Sequence, residues 1–195
     1  FIYNSFGDIM KISVGVSNRH IHVTESDYQI LFGNINIEKV RDLHQKGEFV
    51  SNSFVTIQGS TGMIDHVRVI GPFRNYTQVE VSRTDSYLLG IHPPIRKSGD
   101  IEDVEMVTII GPVGKIEQKK CAIIAERHIH LTKEQLEYYK FDETKTLNIV
   151  VKGEKAAILS NVHLKVSDNA FFELHLDTDD ANACDLKNGD IVDIL

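Results

Sequence analysis

The chain has 195 residues, enough for one large domain or two small ones with a sizeable core. At 42% hydrophobic and 25% charged it has a globular composition, and no apolar run approaches the ~20 residues that a membrane-spanning helix needs. A formal charge of −7 without a long basic tract argues against nucleic acid or a membrane surface as partner, so an anionic ligand has to be held by a local cationic cluster or a metal.

The first nine residues, FIYNSFGDI, precede Met10 and have neither the charged n-region nor the apolar core of a signal peptide. The two cysteines, Cys121 and Cys184, are far apart and fit no C-x-x-C spacing. No disulfide framework is expected, and a reducing cytoplasm is the setting that fits.

In chain order, KISVGVS, FVTIQG, DHVRVIG, QVEVS, EMVTIIG, CAIIAERHIHL, LNIVVKG, VHLKVS and FFELHLD are short, rich in Val and Ile, and partly alternating. They predict a mainly β protein with strands at the spacing of small barrels or sandwiches. Helices are few: one after Thr24, one after Thr132, and short ones over 38–45 and 180–186. Thr132-Lys-Glu-Gln135 is a capping-box pattern, and Thr24-Glu-Ser-Asp27 is an acidic version of it. The turns GSTG (59–62) and GPVG (111–114) lack the lysine and serine or threonine of a P-loop and read as hairpin turns.

One signature occurs twice. SNRHIHVT (17–24) returns as AERHIHLT (125–132), each time running into a capped helix. The likeness extends further, because VRVIGPFRNYTQVEVSRTD (67–85) lies over VHLKVSDNAFFELHLDTDD (162–180) without a gap. In that register Glu80 falls on His175 and Arg74 on Asn169, which predicts two similar β units from a duplication.

In a strand, side chains at i and i+2 share a face, so His20 and His22 can aim two imidazoles at one ion, as can His128 and His130. In a helix the same spacing would splay them by roughly 200°. Adding the equivalent third residues gives His20, His22 and Glu80 at one site and His128, His130 and His175 at the other. Both sets leave a coordination position open, and their nitrogen and oxygen donors suit zinc best, with cobalt, nickel or iron as alternatives. Arg74, six residues before Glu80, suits bidentate recognition of phosphate or carboxylate.

Other residues carry less. His44, His66, His92 and His163 are isolated, and Asp177 and Asp179 read as caps of the helix that follows. There is no G-x-S-x-G, and neither cysteine has an obvious base beside it, so the chain offers no activated nucleophile.

VGVSNRHIHVT, VRVIGPFRNYTQVEVSRTD, PPIRKSGD, IIAERHIHLT and ELHLDTDDANA, in this order and spacing, resemble the PduL-type phosphotransacylases of propanediol utilisation, the phosphate propanoyltransferase family. The resemblance spans Met10 to Leu195. It implies two small β-barrels, 11–125 and 126–195, with the N-terminal strand over 11–19 joining the second. It also implies two metals, normally zinc, and the reversible conversion of acyl-CoA and phosphate into acyl phosphate and CoA.

Carried over by position, His20, His22 and Glu80 match the ligands of the metal that meets the CoA sulfur. His128, His130 and His175 match those of the second metal, and Arg74 matches an arginine needed for phosphate. Arg83, Arg96, Lys119 and Lys120 are candidates for the CoA phosphates. The family leaves a homo-oligomer and the lumen of a bacterial microcompartment open beside a freely cytoplasmic enzyme. Asp180 stands where a glutamate is commoner, and an arginine usual near Lys165 is missing. Neither departure touches a metal ligand. The rivals to this reading are a zinc-dependent thioester hydrolase and a non-enzymatic metal-binding β-barrel module.

Overall fold

A computed structural model describes Ile2 and residues 9–195; the expectation about the leading nine residues falls largely outside that range. The chain divides into two compact units, one of residues 18–125 and the other of residues 126–195 together with the segment that ends at Ser17. Strand β1 (Lys11–Ser17) therefore precedes the first unit in sequence but is built into the second.

The first unit contains β2 (His20–His22), α1 (Glu25–Phe32), β3 (Lys39–Asp42), β4 (Phe49–Gln58), β5 (Met63–Gly71), β6 (Gln78–Glu80), α2 (Arg83–Leu89), β7 (Ile95–Arg96), β8 (Glu105–Ile110) and β9 (Lys115–Ala125). Pairing runs β4, β5, β2, β6, β9, β8 and back to β4, which closes a six-stranded barrel. β3 and β7 add to it beside β4 and β9. Closure leaves no bare edge along the barrel wall.

The second unit adds β10 (His128–Leu131), α3 (Lys133–Tyr139), β11 (Leu147–Val151), β12 (Ala157–Val166), β13 (Glu173–Asp177), α4 (Thr178–Ala183) and β14 (Ile191–Ile194). Its closed barrel runs β1, β13, β10, β12, β11, β14. The pairing scheme repeats strand for strand. Each His-X-His strand lies between a parallel neighbour (β5 or β12) and an antiparallel one (β6 or β13), and the latter pairs in parallel with β9 or β1. So the strand that precedes each His-X-His strand in the chain, β1 before β2 and β9 before β10, closes the other unit's barrel.

Alternation explains what each strand buries. Ile21, Val79, Val67 and Val69 enter the core of the first barrel, and Ile129, Leu131, Leu174, Leu176 and Leu164 that of the second. The residues between them face the other way. The helices start where short polar side chains occupy the orphan amides of the first turn. Thr24 accepts from Asp27 N, Thr132 forms a capping box with Gln135, and Asp177 accepts from Asp180 N.

Three local expectations need correction. Residues 38–45 form no helix; Lys39–Asp42 is a strand on β4, because a stretch with only two apolar side chains has no stripe to bury, whereas β4 supplies backbone partners. Helix α2 was not expected, although Ser82 and Asp85 form a full capping box and Gly90 ends the helix in the left-handed conformation. The last helix spans Thr178–Ala183 rather than 180–186, because the Asp177 cap sets its start. The two glycine-bounded segments are hairpin turns, closed by Gly59 N to Gly62 O at 2.9 Å and Gly111 N to Gly114 O at 2.8 Å.

Candidate metal centres

In the first barrel His20 lies opposite Glu80, Ile21 opposite Val79 and His22 opposite Gln78. With Ile21 and Val79 in the core, His20, His22 and Glu80 share the other face, and one donor atom from each lies within 4.8 Å of the others. Nδ1 of His20 is 2.9 Å from the carbonyl of Asn18, which only accepts, so that nitrogen carries the ring proton. The Nε2 lone pair then faces Glu80 Oε2 at 3.5 Å. Both atoms turn lone pairs toward the same space, as two ligands of one ion do. A set of two imidazoles and one carboxylate fits a divalent ion.

In the second barrel His128 lies opposite His175 and His130 opposite Glu173. His128, His130 and His175 again place one donor each within 4.8 Å of the others. Nδ1 of His128 is 2.7 Å from the carbonyl of Glu126, the same anchor two residues upstream, and Nε2 lies 3.1 Å from Nε2 of His130. His128 and His130 are each 8% exposed, so the two nitrogens meet out of bulk water. Three converging imidazoles fit a divalent ion equally well.

The arginine of each Arg-His-X-His signature has another task. Arg19 pairs with Asp85 at 3.0 Å, and Arg127 takes Asp180 in a two-pronged contact at 2.8 and 2.7 Å. The Asp180 carboxylate raises the Arg127 pKa. Both aspartates sit in the first turn of the helix that follows the third-ligand strand, so each pair ties the start of a His-X-His strand to that helix. The signal was in the sequence, since Asp85 falls on Asp180 in the repeat register.

Arg74 leaves the β5–β6 loop with its amide on the Val23 carbonyl. Its guanidinium donates to Glu48 Oε1 at 2.7 Å, to the Tyr76 hydroxyl at 2.8 Å and to Ser98 Oγ at 3.4 Å. Gln78 Nε2 donates to Ser98 at 2.9 Å and to Glu80 Oε1 at 2.6 Å. Arg74 is thus linked to a metal-competent carboxylate through Ser98 and Gln78. In the second barrel Asn169 is exposed at the matching position.

The remaining cations scatter. Arg83 is half-buried in the first turn of α2, and Lys120 is exposed on β9. Arg96 meets Asp100 at 3.7 Å, and Lys119 is engaged by the buried Asp27, which also receives Thr77. His44, His66 and His92 are exposed; His163 lies beside His128 in the β10–β12 register, 3.5 Å from Glu126. Both cysteines are free and buried. Burial pushes the Cys121 thiol up to about 12 and raises that of Cys184, the opposite of what a nucleophile needs.

Fold and site together define a class: a duplicated two-barrel protein that presents one metal-competent donor set per barrel, the first of them linked to Arg74 through Ser98 and Gln78. Comparison with known proteins gives the family. The phosphate propanoyltransferase family model matches residues 13–187. Phosphate propanoyltransferase of Thermotoga maritima is 43% identical over 94% of this chain and 89% of that protein. The Priestia megaterium protein of the same name is 44% identical over 92% and 83%, and that of Citrobacter freundii 38% over 91% and 85%. The chain belongs to the phosphate propanoyltransferase family and is an acyltransferase. Among the described residues no helix is long and apolar enough to cross a membrane.

Proposed function

We propose that the protein interconverts a short-chain acyl-CoA and phosphate with the acyl phosphate and CoA, and that phosphate attacks the thioester carbonyl directly. A phosphate oxygen forms the new bond to carbon, the carbon–sulfur bond breaks, and CoA leaves as its thiolate. The observation that carries this reading is the link from Arg74 through Ser98 and Gln78 to Glu80, which joins an anion-binding side chain to the open His20, His22 and Glu80 set.

His20, His22 and Glu80 would hold one divalent ion and His128, His130 and His175 a second, zinc by the chemistry of their donors. A divalent ion at the first set would supply positive charge to the developing oxyanion and the departing sulfur. Arg74 presents its planar fork to phosphate, exchanging its contact with Glu48 for the substrate, while Tyr76 and Ser98 keep the guanidinium oriented. The buried thiols, neither poised as a thiolate, support attack without an acyl-enzyme. Of the four CoA candidates, Lys120 and Arg83 are better placed for the CoA phosphates than Lys119, which Asp27 engages, and Arg96, which lies beside Asp100. The setting that goes with this reading is the cytoplasm or a microcompartment that processes propanediol.

The test is acyl-CoA formation from acetyl phosphate or propanoyl phosphate and CoA, by wild type and Glu80→Ala, with metal content measured on the same samples. Full activity of Glu80→Ala with one metal missing would sink the assignment. Thioester cleavage that proceeds equally well without phosphate would make the protein a hydrolase instead.

A further inference from the structure

Each third ligand has a companion two residues before it on the same strand. Gln78 precedes Glu80 and lies opposite His22; Glu173 precedes His175 and lies opposite His130. Because side chains alternate, each companion shares the face of the donors and completes a patch of four. Both companions are buried, Gln78 at 0% and Glu173 at 5% exposure.

Their chemistry is matched to the ligand they touch. Gln78 turns its amide nitrogen to the Glu80 carboxylate at 2.6 Å, and that orientation is fixed because its carbonyl oxygen accepts from Gly99 N at 2.7 Å. Glu173 does the reverse: with the ring proton on Nε2, His175 donates to Glu173 Oε2 at 2.9 Å, which leaves Nδ1 as the nitrogen for an ion. A donor serves the acid ligand and an acceptor serves the imidazole ligand. Each patch therefore carries one carboxylate, at the ligand position in the first barrel and at the companion position in the second.

The second barrel also makes room for its companion. Gly15 of β1 lies beside His175, and a Cβ there would stand 2.8 Å from Glu173 Oε2 and 3.0 Å from His175 Cδ2. The matching residue in the first barrel is Ile123, fully buried beside Glu80. Gly15 does not need its glycine for backbone reasons, since it has no positive φ. A side chain there would force the Glu173 carboxylate and the His175 ring to shift.

We propose that Gln78 and Glu173 are the positioning residues of the two metal centres, each orienting the third ligand through a hydrogen bond, with Gly15 admitting the Glu173 carboxylate. This inference rests on the two-metal reading above. Outer partners of this kind typically change metal affinity about 10–100-fold when removed.

The experiment uses the full chain stripped and reloaded with zinc or cobalt(II), affinity read by competition with a chelator. The melting temperature of the metal-free protein serves as folding control. In a Glu80→Ala background, which isolates the second centre, Glu173→Gln is expected to weaken binding about tenfold and Glu173→Leu up to about a hundredfold, with the metal-free melting temperature unchanged. Gly15→Ala should give a matching loss without removing either group. In a His128→Ala background, Gln78→Leu and Gln78→Glu should weaken the first centre, while Glu173→Leu leaves it unchanged.

Unchanged affinity in these variants, or a loss that only tracks a lower metal-free melting temperature, overturns the inference. So does a metal-loaded structure with a Glu173 oxygen bonded to the ion. Wild type that takes up no metal removes the two-metal reading itself; wild type that takes up two with unaffected variants removes only this inference.

Discussion

The two barrels share a pairing scheme, a His-X-His strand anchored by a backbone carbonyl two residues upstream, and an arginine tied to the helix that follows the third-donor strand. They differ where chemistry is decided. The first places a carboxylate at the third ligand position and links it through Gln78 and Ser98 to Arg74. The second places an imidazole there, with the carboxylate one step back on Glu173 and an exposed Asn169 where Arg74 would stand. A β-barrel is set by its alternation of core residues, so the outward positions of the same strands are free to diverge after duplication without disturbing the fold.

That contrast predicts unequal losses. Glu80→Ala should remove one metal per chain and lower acyl transfer by on the order of a thousandfold, because the donor set and its link to Arg74 go together. His128→Ala should remove the other metal and leave the first bound. Assays of rate and metal content on the same samples separate the two; simultaneous loss of both metals from either variant would break the comparison.

Arg74→Ala should lower kcat/KM for phosphate about a hundredfold with both metals retained. Asn169→Ala, its counterpart, should change nothing measurable. Steady-state kinetics with phosphate varied, then CoA, tests whether the loss falls on phosphate.

Smaller effects should follow the Arg–Asp ties. Arg127→Met is expected to cost about 1–2 kcal/mol and Arg19→Met about 1 kcal/mol in urea unfolding, since Arg127 makes the two-pronged contact and each arginine is partly solvent-screened. Equal costs would mean that the second prong adds nothing.

Least of all should pH act through the cysteines. With Cys121 held at about 12 by burial against an ordinary 9.0, the folded state keeps a proton that the unfolded chain releases. The Cys121 contribution is therefore fully present below pH 9, and stability declines as pH rises from about 9 towards 12. Iodoacetamide at pH 8 should label neither cysteine of the native protein and leave activity intact. Rapid labelling with inactivation would reopen the acyl-enzyme route.

Legibility in the sequence followed the range of the interaction involved. The His-X-His pairs, the Thr24, Thr132 and Asp177 caps and the strand alternation are local, and a period of two or a cap three residues from its amide can be seen in the letters. Glu80 and His175, which lie with the His-X-His pairs, stand out in the sequence because the second copy can be aligned with the first. The capping box of α2 is equally local, but a helix of 7 residues is too short to show an apolar period that marks it as one. The strand at Lys39–Asp42 depends on an edge of β4 that no local pattern announces.

By itself the sequence determined a β protein with two donor sets at equivalent positions, because alternation and repetition are properties of order along the chain. Tertiary structure alone decided which side chains act on those sets. The contacts of Arg74 with Ser98 and of Ser98 with Gln78, and the space that Gly15 leaves for Glu173, join strands or loops that closure of the barrels brings together. A hydrogen bond needs its partners within about 3 Å, and only the folded chain fixes which distant residues come that near.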